Sequence, residues 1–130
     1  MTGAKIITVE QAVFAHDKIV VATGGLEGIR NLSLLESALS RPIASFAGKD
    51  LYPDIFAKTA ALVHSLILNH PFLDGNKRTA TFLGYRFLLI NGYKFYARSK
   101  ELVRFALDVE AKKFDQKEIA RWLKNHSKKL

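Results

Sequence analysis

Nine consecutive residues, His70-Pro71-Phe72-Leu73-Asp74-Gly75-Asn76-Lys77-Arg78, bring together a titratable base, a carboxylate, a glycine turn and two cations. Asp74-Gly75-Asn76 leads into a predicted helix whose first backbone N–H groups have no partner within the helix. With the positive end of the helix dipole, they form a natural site for an anion. Gly75 lets the backbone turn sharply and approach an anion with no side chain between. Lys77 and Arg78 in the first turn are locally unfavourable at that positive end, a cost that a bound polyphosphate reverses. Asp74, acceptor-only when ionised, suits a Mg²⁺ shared with phosphate oxygens; its plainer role is a cap or a local Asx turn. His70, just before the turn, can take a proton from a hydroxyl that attacks phosphorus. Phosphoryl transfer asks the protein mainly to position and neutralise, so one base, one metal and several donors suffice. Phe72 is expected to plug into the core. His64 reads as a partly buried packing residue, His16 and His126 carry no site signal, and no two histidines have metal-ligand spacing.

The elements that must hold these residues are helical almost throughout. Thr8-Val9-Glu10-Gln11 is a capping box, followed at helical spacing by Val9, Ala12, Val13, Ile19 and Val20, and Gly24-Gly25 stops that helix. Ser33-Leu34-Leu35-Glu36 is a second capping box, opening a short helix that ends before Pro42. Residues 45–50 have mixed polarity around Gly48 and read as a loop or small hairpin. A longer helix is predicted to start with Pro53 in its first position, to run through Ile55, Phe56, Ala60, Val63, Leu66 and Ile67, and to end at His70, which Pro71 drives out of the helical region. The next runs from Asn76 to Asn91. It is apolar nearly all round over residues 82–90 except at Arg86, the pattern of a central buried helix. Residues 93–97 are short and extended. Ser99 and Asp115 read as caps of two final helices, the second supported by Glu118 and carrying Trp122 and Leu123. Without repeats, linkers or low-complexity segments, residues 1–130 are expected to form one all-α domain, with its core over about 8–124.

Composition narrows the classes. A 130-residue chain with 48% hydrophobic and 25% charged residues is ordinary globular protein, able to bury a core without staples. It has no cysteine, which excludes disulfides and thiolate metal sites and favours a reducing compartment. The beginning of the chain lacks the apolar stretch of a signal peptide, and no apolar run reaches the ~20 residues of a membrane span. The expected location is therefore cytoplasmic, with no membrane partner. The net charge is +8; residues 98–130 hold ten Lys or Arg against five Asp or Glu. A solvated basic face with a frayed tail at Lys128-Lys129 is the plain reading, and an anionic partner the functional one. Nothing favours nucleic acid, since aromatic and basic residues do not interleave and no helix-turn-helix pattern stands out.

The nine residues match H-P-F-x-[DE]-G-N-[GK]-R, and the chain resembles the death-on-curing branch of the Fic superfamily. The resemblance extends to Gly24-Gly25-Leu26, to Leu34-Leu35-Glu36-Ser37-Ala38-Leu39 with Arg41-Pro42, to Leu51-Tyr52-Pro53 and to residues 89–93. It implies a compact helical bundle with a small flap over the site near residues 45–50. Fic proteins that transfer AMP usually carry Gly where Lys77 stands, and a further Arg three residues beyond the motif, where this chain has Thr81. Both departures match the death-on-curing toxins, and so imply a kinase that transfers the γ-phosphate of ATP, with Mg²⁺, to a threonine of elongation factor Tu and arrests translation. By the same resemblance His70 is the base, Asp74 the Mg²⁺ ligand, and Gly75, Asn76, Lys77 and Arg78 hold the phosphates. Such toxins are silenced by a small antitoxin. Thr23-Gly24-Gly25-Leu26-Glu27-Gly28 formally matches the [ST]-x-x-x-E-[GN] of self-inhibited members. Paired glycines cost a helix about 1 kcal/mol each, so a separate antitoxin is the expectation. Two other readings use the same residues: transfer of AMP or another nucleotide to a protein hydroxyl, and a non-catalytic module that binds nucleotide or an acidic partner.

Overall fold

The computed structural model describes residues 3–130, so the first two residues of the expected domain lie outside it. Six α-helices dominate: α1 (Val9–Thr23), α2 (Leu32–Ser40), α3 (Ile55–Asn69), α4 (Asn76–Ile90), α5 (Ser99–Glu110) and α6 (Gln116–Asn125). A 3-10 turn, Arg41–Ile43, follows α2. Two antiparallel strand pairs complete the fold, β1 (Ser45–Phe46) with β2 (Lys49–Asp50) and β3 (Tyr93–Phe95) with β4 (Ser127–Lys129). The expected all-α bundle with a small hairpin is the observed architecture.

Capping explains most boundaries. The Thr8 hydroxyl accepts from Gln11 N while Gln11 accepts from Thr8 N, the reciprocal box the sequence predicts. Asp115 and Glu118 do the same for α6. Three starts differ from expectation by one or two residues. Asn31, not Ser33, caps α2, its amide oxygen accepting from Leu34 N at 3.0 Å. Asp54 caps α3 through bonds to Phe56 N and Ala57 N, leaving Pro53 outside the helix. For α5 the cap position is Arg98, with Ser99 already helical, and Glu101 accepts from Arg98 N. In α2 and α3 the start is set where a side-chain oxygen lies two or three residues before an N–H it can accept from, whereas α5 begins without such an acceptor.

The central helix is α3 rather than α4. Nine residues of α3 are buried, including Lys58, Thr59 and Ser65, whereas α4 buries one face, Thr79, Ala80, Leu83, Gly84, Phe87 and Leu88, and exposes Phe82. Apolar composition around α4 therefore overstated its burial. The core runs from Leu35 through Leu62, Leu66, Phe72, Leu83 and Phe87 to Phe105, Ile119 and Leu123. At the C-terminal end Trp122 stacks between Phe105 and His126, with centroids at 3.9 and 4.0 Å. His126 thus packs, as the lack of a site signal implied. The tail is not frayed: Lys128 pairs with Lys94, and Lys129 with Tyr93, in the β3–β4 ladder. No helix among the described residues is long and apolar enough to cross a membrane.

The β1–β2 hairpin turns through Ala47 and Gly48, both at positive φ (52° and 78°), the backbone of a tight two-residue turn. Its tip is exposed, with Phe46 76% accessible, while its base is tied. Lys58, only 4% exposed, donates to Asp50 Oδ2 at 3.1 Å and to the carbonyl of Tyr52. Arg41 bonds the Tyr52 hydroxyl, and Leu51 N donates to Ala44 O at 2.9 Å.

Candidate active site

The residue before Pro71 cannot stay in right-handed helix. Here it turns left-handed: His70 ends α3 at φ 46°, ψ 62°. A side chain beyond Cβ resists this conformation by about 1 kcal/mol or more, and Arg30 supplies the compensation. Its Nε donates to His70 O and its Nη2 to Asn69 O, both at 2.6 Å. The His70 side chain is exposed, and among the described residues nothing bonds its imidazole. The expected base is therefore free to act.

The rest of the loop is held from two sides. Loop 24–31 runs antiparallel to it: Arg30 N and Asn31 N donate to Pro71 O at 2.7 and 3.0 Å, Leu73 N donates to Gly28 O at 3.1 Å, and Ile29 bridges Phe72. Phe72, buried, lies parallel to the His16 ring with centroids 3.9 Å apart. His16 is fully buried and its Nε2 lies 2.7 Å from the Asp74 carbonyl. A residue without any site signal in the sequence is thus the floor of the loop.

Each predicted site residue has a defined place. Asp74 is exposed; Oδ1 accepts from Gly75 N at 2.9 Å and Oδ2 from Leu26 N at 3.3 Å. Two bonds leave half of a carboxylate's acceptor capacity open, so its donor set still fits a hard cation that keeps water and phosphate oxygens. Gly75 is left-handed at φ 71°, and a Cβ there would sit 2.9 Å from Val20 Cγ1. Asn76 departs from expectation. Its Oδ1 accepts from Phe72 N and its Nδ2 donates to Phe72 O, both at 3.0 Å. With one amide N–H and the amide oxygen committed to closing the loop, its backbone N–H and the second amide N–H are left for a phosphate. Lys77 reaches α5, its Nζ 3.1 Å from Glu110 Oε1, rather than lying free at the loop. Exposed pairs of this kind contribute up to about 1 kcal/mol and exchange partners readily. Arg78 donates from Nη1 to the Thr23 hydroxyl at 3.0 Å.

One electrostatic feature separates this helix start from four of the others. The starts of α1, α2, α3 and α6 each receive a side-chain acceptor, whereas in α5 Glu101 accepts from the N-cap residue's own backbone N–H, Arg98 N. The N-cap of α4 is Gly75, which offers none. Its first N–H groups are uncapped, as are those of α5, and α4 sets the two cations Lys77 and Arg78 beside them behind a glycine cap. That end is suited to an anion with several oxygens.

The segment Thr23-Gly24-Gly25-Leu26-Glu27-Gly28 leaves the helix at Thr23 and forms the loop that braces Asp74, as the paired glycines implied. His64 on α3 is half-buried, and burial first, then the neighbouring Arg41 charge, lowers its pKa below the usual 6.5. A hollow of about 380 Å³ lined by Val13, His16, Asp17, Glu27, Gly28, Ile29 and Phe72 adjoins the floor of the loop, with none of His70, Asp74, Lys77 or Arg78 in its wall. No cluster of three or more His, Asp or Glu able to hold a metal occurs among the described residues, so a cation here would rest on Asp74 and its ligand's own oxygens.

Sequence reasoning missed His16, Arg30, Thr23 and Glu110. Each lies 30 to 60 residues from its partner, and only the folded chain brings them together.

Comparison with known proteins agrees with this geometry. Residues 6–88 match the family model described as the Fic/DOC family. Over 77 residues the chain is 46% identical to "Toxin Doc" of Mycolicibacterium smegmatis, an alignment spanning 59% of this chain and 59% of that relative.

Proposed function

This chain belongs to the Fic/DOC family, and from that premise we propose that it is the toxin of a toxin–antitoxin pair, a kinase that moves the γ-phosphate of Mg²⁺-bound ATP to a threonine of elongation factor Tu or a similar translation factor. The uncapped start of α4, with two cations in its first turn and a free imidazole at the end of α3, carries this reading. The toxin assignment draws on the relative's name, and the choice of kinase on Lys77 and Thr81. Thr81 spends its hydroxyl on the carbonyls of Lys77 and Arg78, within its own helix turn. A second arginine that could grip a nucleotide in the AMP-transferring sense is thus absent at that position.

The chain's own groups divide the work. His70 accepts the proton of the attacking hydroxyl as its oxygen bonds to the γ-phosphorus, and the electron pair of the broken P–O bond leaves with ADP. The backbone N–H groups of Asn76, Lys77 and Arg78, with the Arg78 guanidinium, neutralise phosphate oxygens. Lys77 joins them by exchanging Glu110 for phosphate. Gly75 keeps the approach to the helix end open. Asp74 would hold Mg²⁺, which supplies charge neutralisation on the phosphates when bound. The antitoxin is the expected partner, and the cytoplasm, where translation factors and ATP are found, the expected place of action.

The test is label transfer to purified elongation factor Tu with γ-labelled and α-labelled ATP side by side. Label from γ alone, lost in His70→Ala, is the expected result. Label from α would instead establish nucleotide transfer and remove the argument from Lys77. Undiminished ATP binding with no modified protein would leave a binding module.

A further inference from the structure

His16 is a fully buried, ionisable side chain that the chemistry above does not use. Its contacts are concentrated on the motif. The ring lies on Phe72 at 3.9 Å with an interplanar angle of 6°. Its Nε2 is 2.7 Å from the carbonyl oxygen of Asp74, and a Cβ on Gly75 would sit 3.8 Å from that same nitrogen. The remaining polar neighbour is Asp17 on its own helix, with Oδ1 3.3 Å from Nδ1. Three positions of the motif loop, 72, 74 and 75, thus rest on one imidazole.

A carbonyl can only accept, so the Nε2 atom carries a proton and donates it. This bond fixes the peptide plane that joins Asp74 to Gly75. That plane determines where the Asp74 carboxylate leaves the backbone and how Gly75 enters its left-handed turn, and hence where the first N–H groups of α4 point. We infer that His16 is a positioning residue for the phosphate site: through its Nε2–H bond to Asp74 O it sets the orientation of the α4 start without touching substrate. The inference rests on the function proposed above, but its geometric part can be tested separately.

The full-length protein would be compared with two variants that divide the ring's roles. His16→Phe keeps an aromatic ring against Phe72 and removes the donor. His16→Gln removes the ring but places an amide N–H near the position of Nε2. Long-range ¹H–¹⁵N correlation on the parent is expected to show His16 protonated at Nε2; a ring with Nε2 bare would overturn the inference at once. In His16→Phe the amide signals of Gly75 and Asn76 should shift. At a temperature well below melting, kcat for phosphate transfer should fall roughly 100-fold, the usual cost of a small misplacement, while KM for the protein substrate stays near the parent's. His16→Gln should recover most of that kcat. Should His16→Phe lower the melting temperature yet keep parental kcat and unshifted loop amides, the ring only packs and the inference is wrong. If the parent transfers no phosphate at all, the proposed activity fails, and the amide shifts and tautomer still decide the role of His16.

Discussion

The motif loop and the β1–β2 hairpin are both short, exposed excursions, and both contain a non-glycine residue at positive φ, His70 at 46° and Ala47 at 52°. They are held in opposite ways. The loop is fixed along its whole length: Asn76 clasps Phe72, Arg30 clasps the end of α3, loop 24–31 pairs with it as a strand would, and His16 supports it from below. The hairpin is fixed only at its base, by Lys58, Arg41 and the Ala44–Leu51 bond, and its tip presents Phe46 to solvent. On the proposed function the loop must position reacting groups, which tolerates little displacement, whereas a hairpin that would meet a protein partner can be less stable. The contrast teaches that here rigidity is placed residue by residue and does not follow from burial or secondary structure alone.

The sharpest way to break the comparison is to remove chemistry while leaving the loop in place. His70→Ala should reduce single-turnover label transfer by 100-fold or more with a melting temperature close to the parent's, because its backbone carbonyl, not its ring, is what Arg30 holds. The opposite experiment loosens the hairpin alone. Lys58→Ala removes a buried ammonium from Asp50 and Tyr52 and should cost about 3 kcal/mol, with hydrogen exchange accelerated at residues 45–50 and unchanged at residues 71–76. Equal acceleration in both would mean that the two regions share one support. A matched pair of glycines gives a finer measure. Gly48→Ala meets nothing within 4 Å at φ 78° and should cost about 1 kcal/mol, the left-handed penalty alone. Gly75→Ala pays that penalty and also pushes on Val20 at 2.9 Å, so denaturant melts should show about 1 kcal/mol or more of additional loss.

The smallest effect is one of pH. Burial and then Arg41 favour neutral His64 in the folded state, lowering its pKa from 6.5. The unfolded chain therefore binds a proton more readily, and stability should fall as pH drops below about 6.5 and level off above it. In His64→Gln this part of the profile should flatten; an unchanged profile would assign the acid sensitivity to other groups.

The motif and the helices were legible in the sequence because both are local. Capping boxes at Thr8 and Asp115 lie within four residues, and the nine-residue loop contains its own turn and its own clasp. What stayed hidden depends on distant residues of ordinary type. Nothing around His16 marks it apart from other helical histidines until Asp74 folds against it, 58 positions away. Arg30 and Thr23 are likewise common residues given meaning by what they meet. The burial of α4 was overestimated because composition records how apolar a helix is, not how many sides have neighbours. The lysines at 128 and 129 looked like solvated tail because a pattern of charges does not show strand pairing with residues 93–95.

Position 84 has a wider consequence. A methyl group there would come within 2.7 Å of Val63 Cγ2, so α3 and α4 touch backbone to side chain at that level. His70 is seven positions beyond Val63, and Asn76 eight positions before Gly84, each about 10–12 Å of helix. The crossing is thus placed as the pivot of a pair of tongs whose tips are the proposed base and the proposed anion-binding end. A wedge one carbon wide would shift the tips relative to each other while leaving every motif side chain intact. Gly84→Ala should accordingly register as a loss of transfer rate in a protein whose loop amides still show their native bonds, a catalytic phenotype arising entirely within the core.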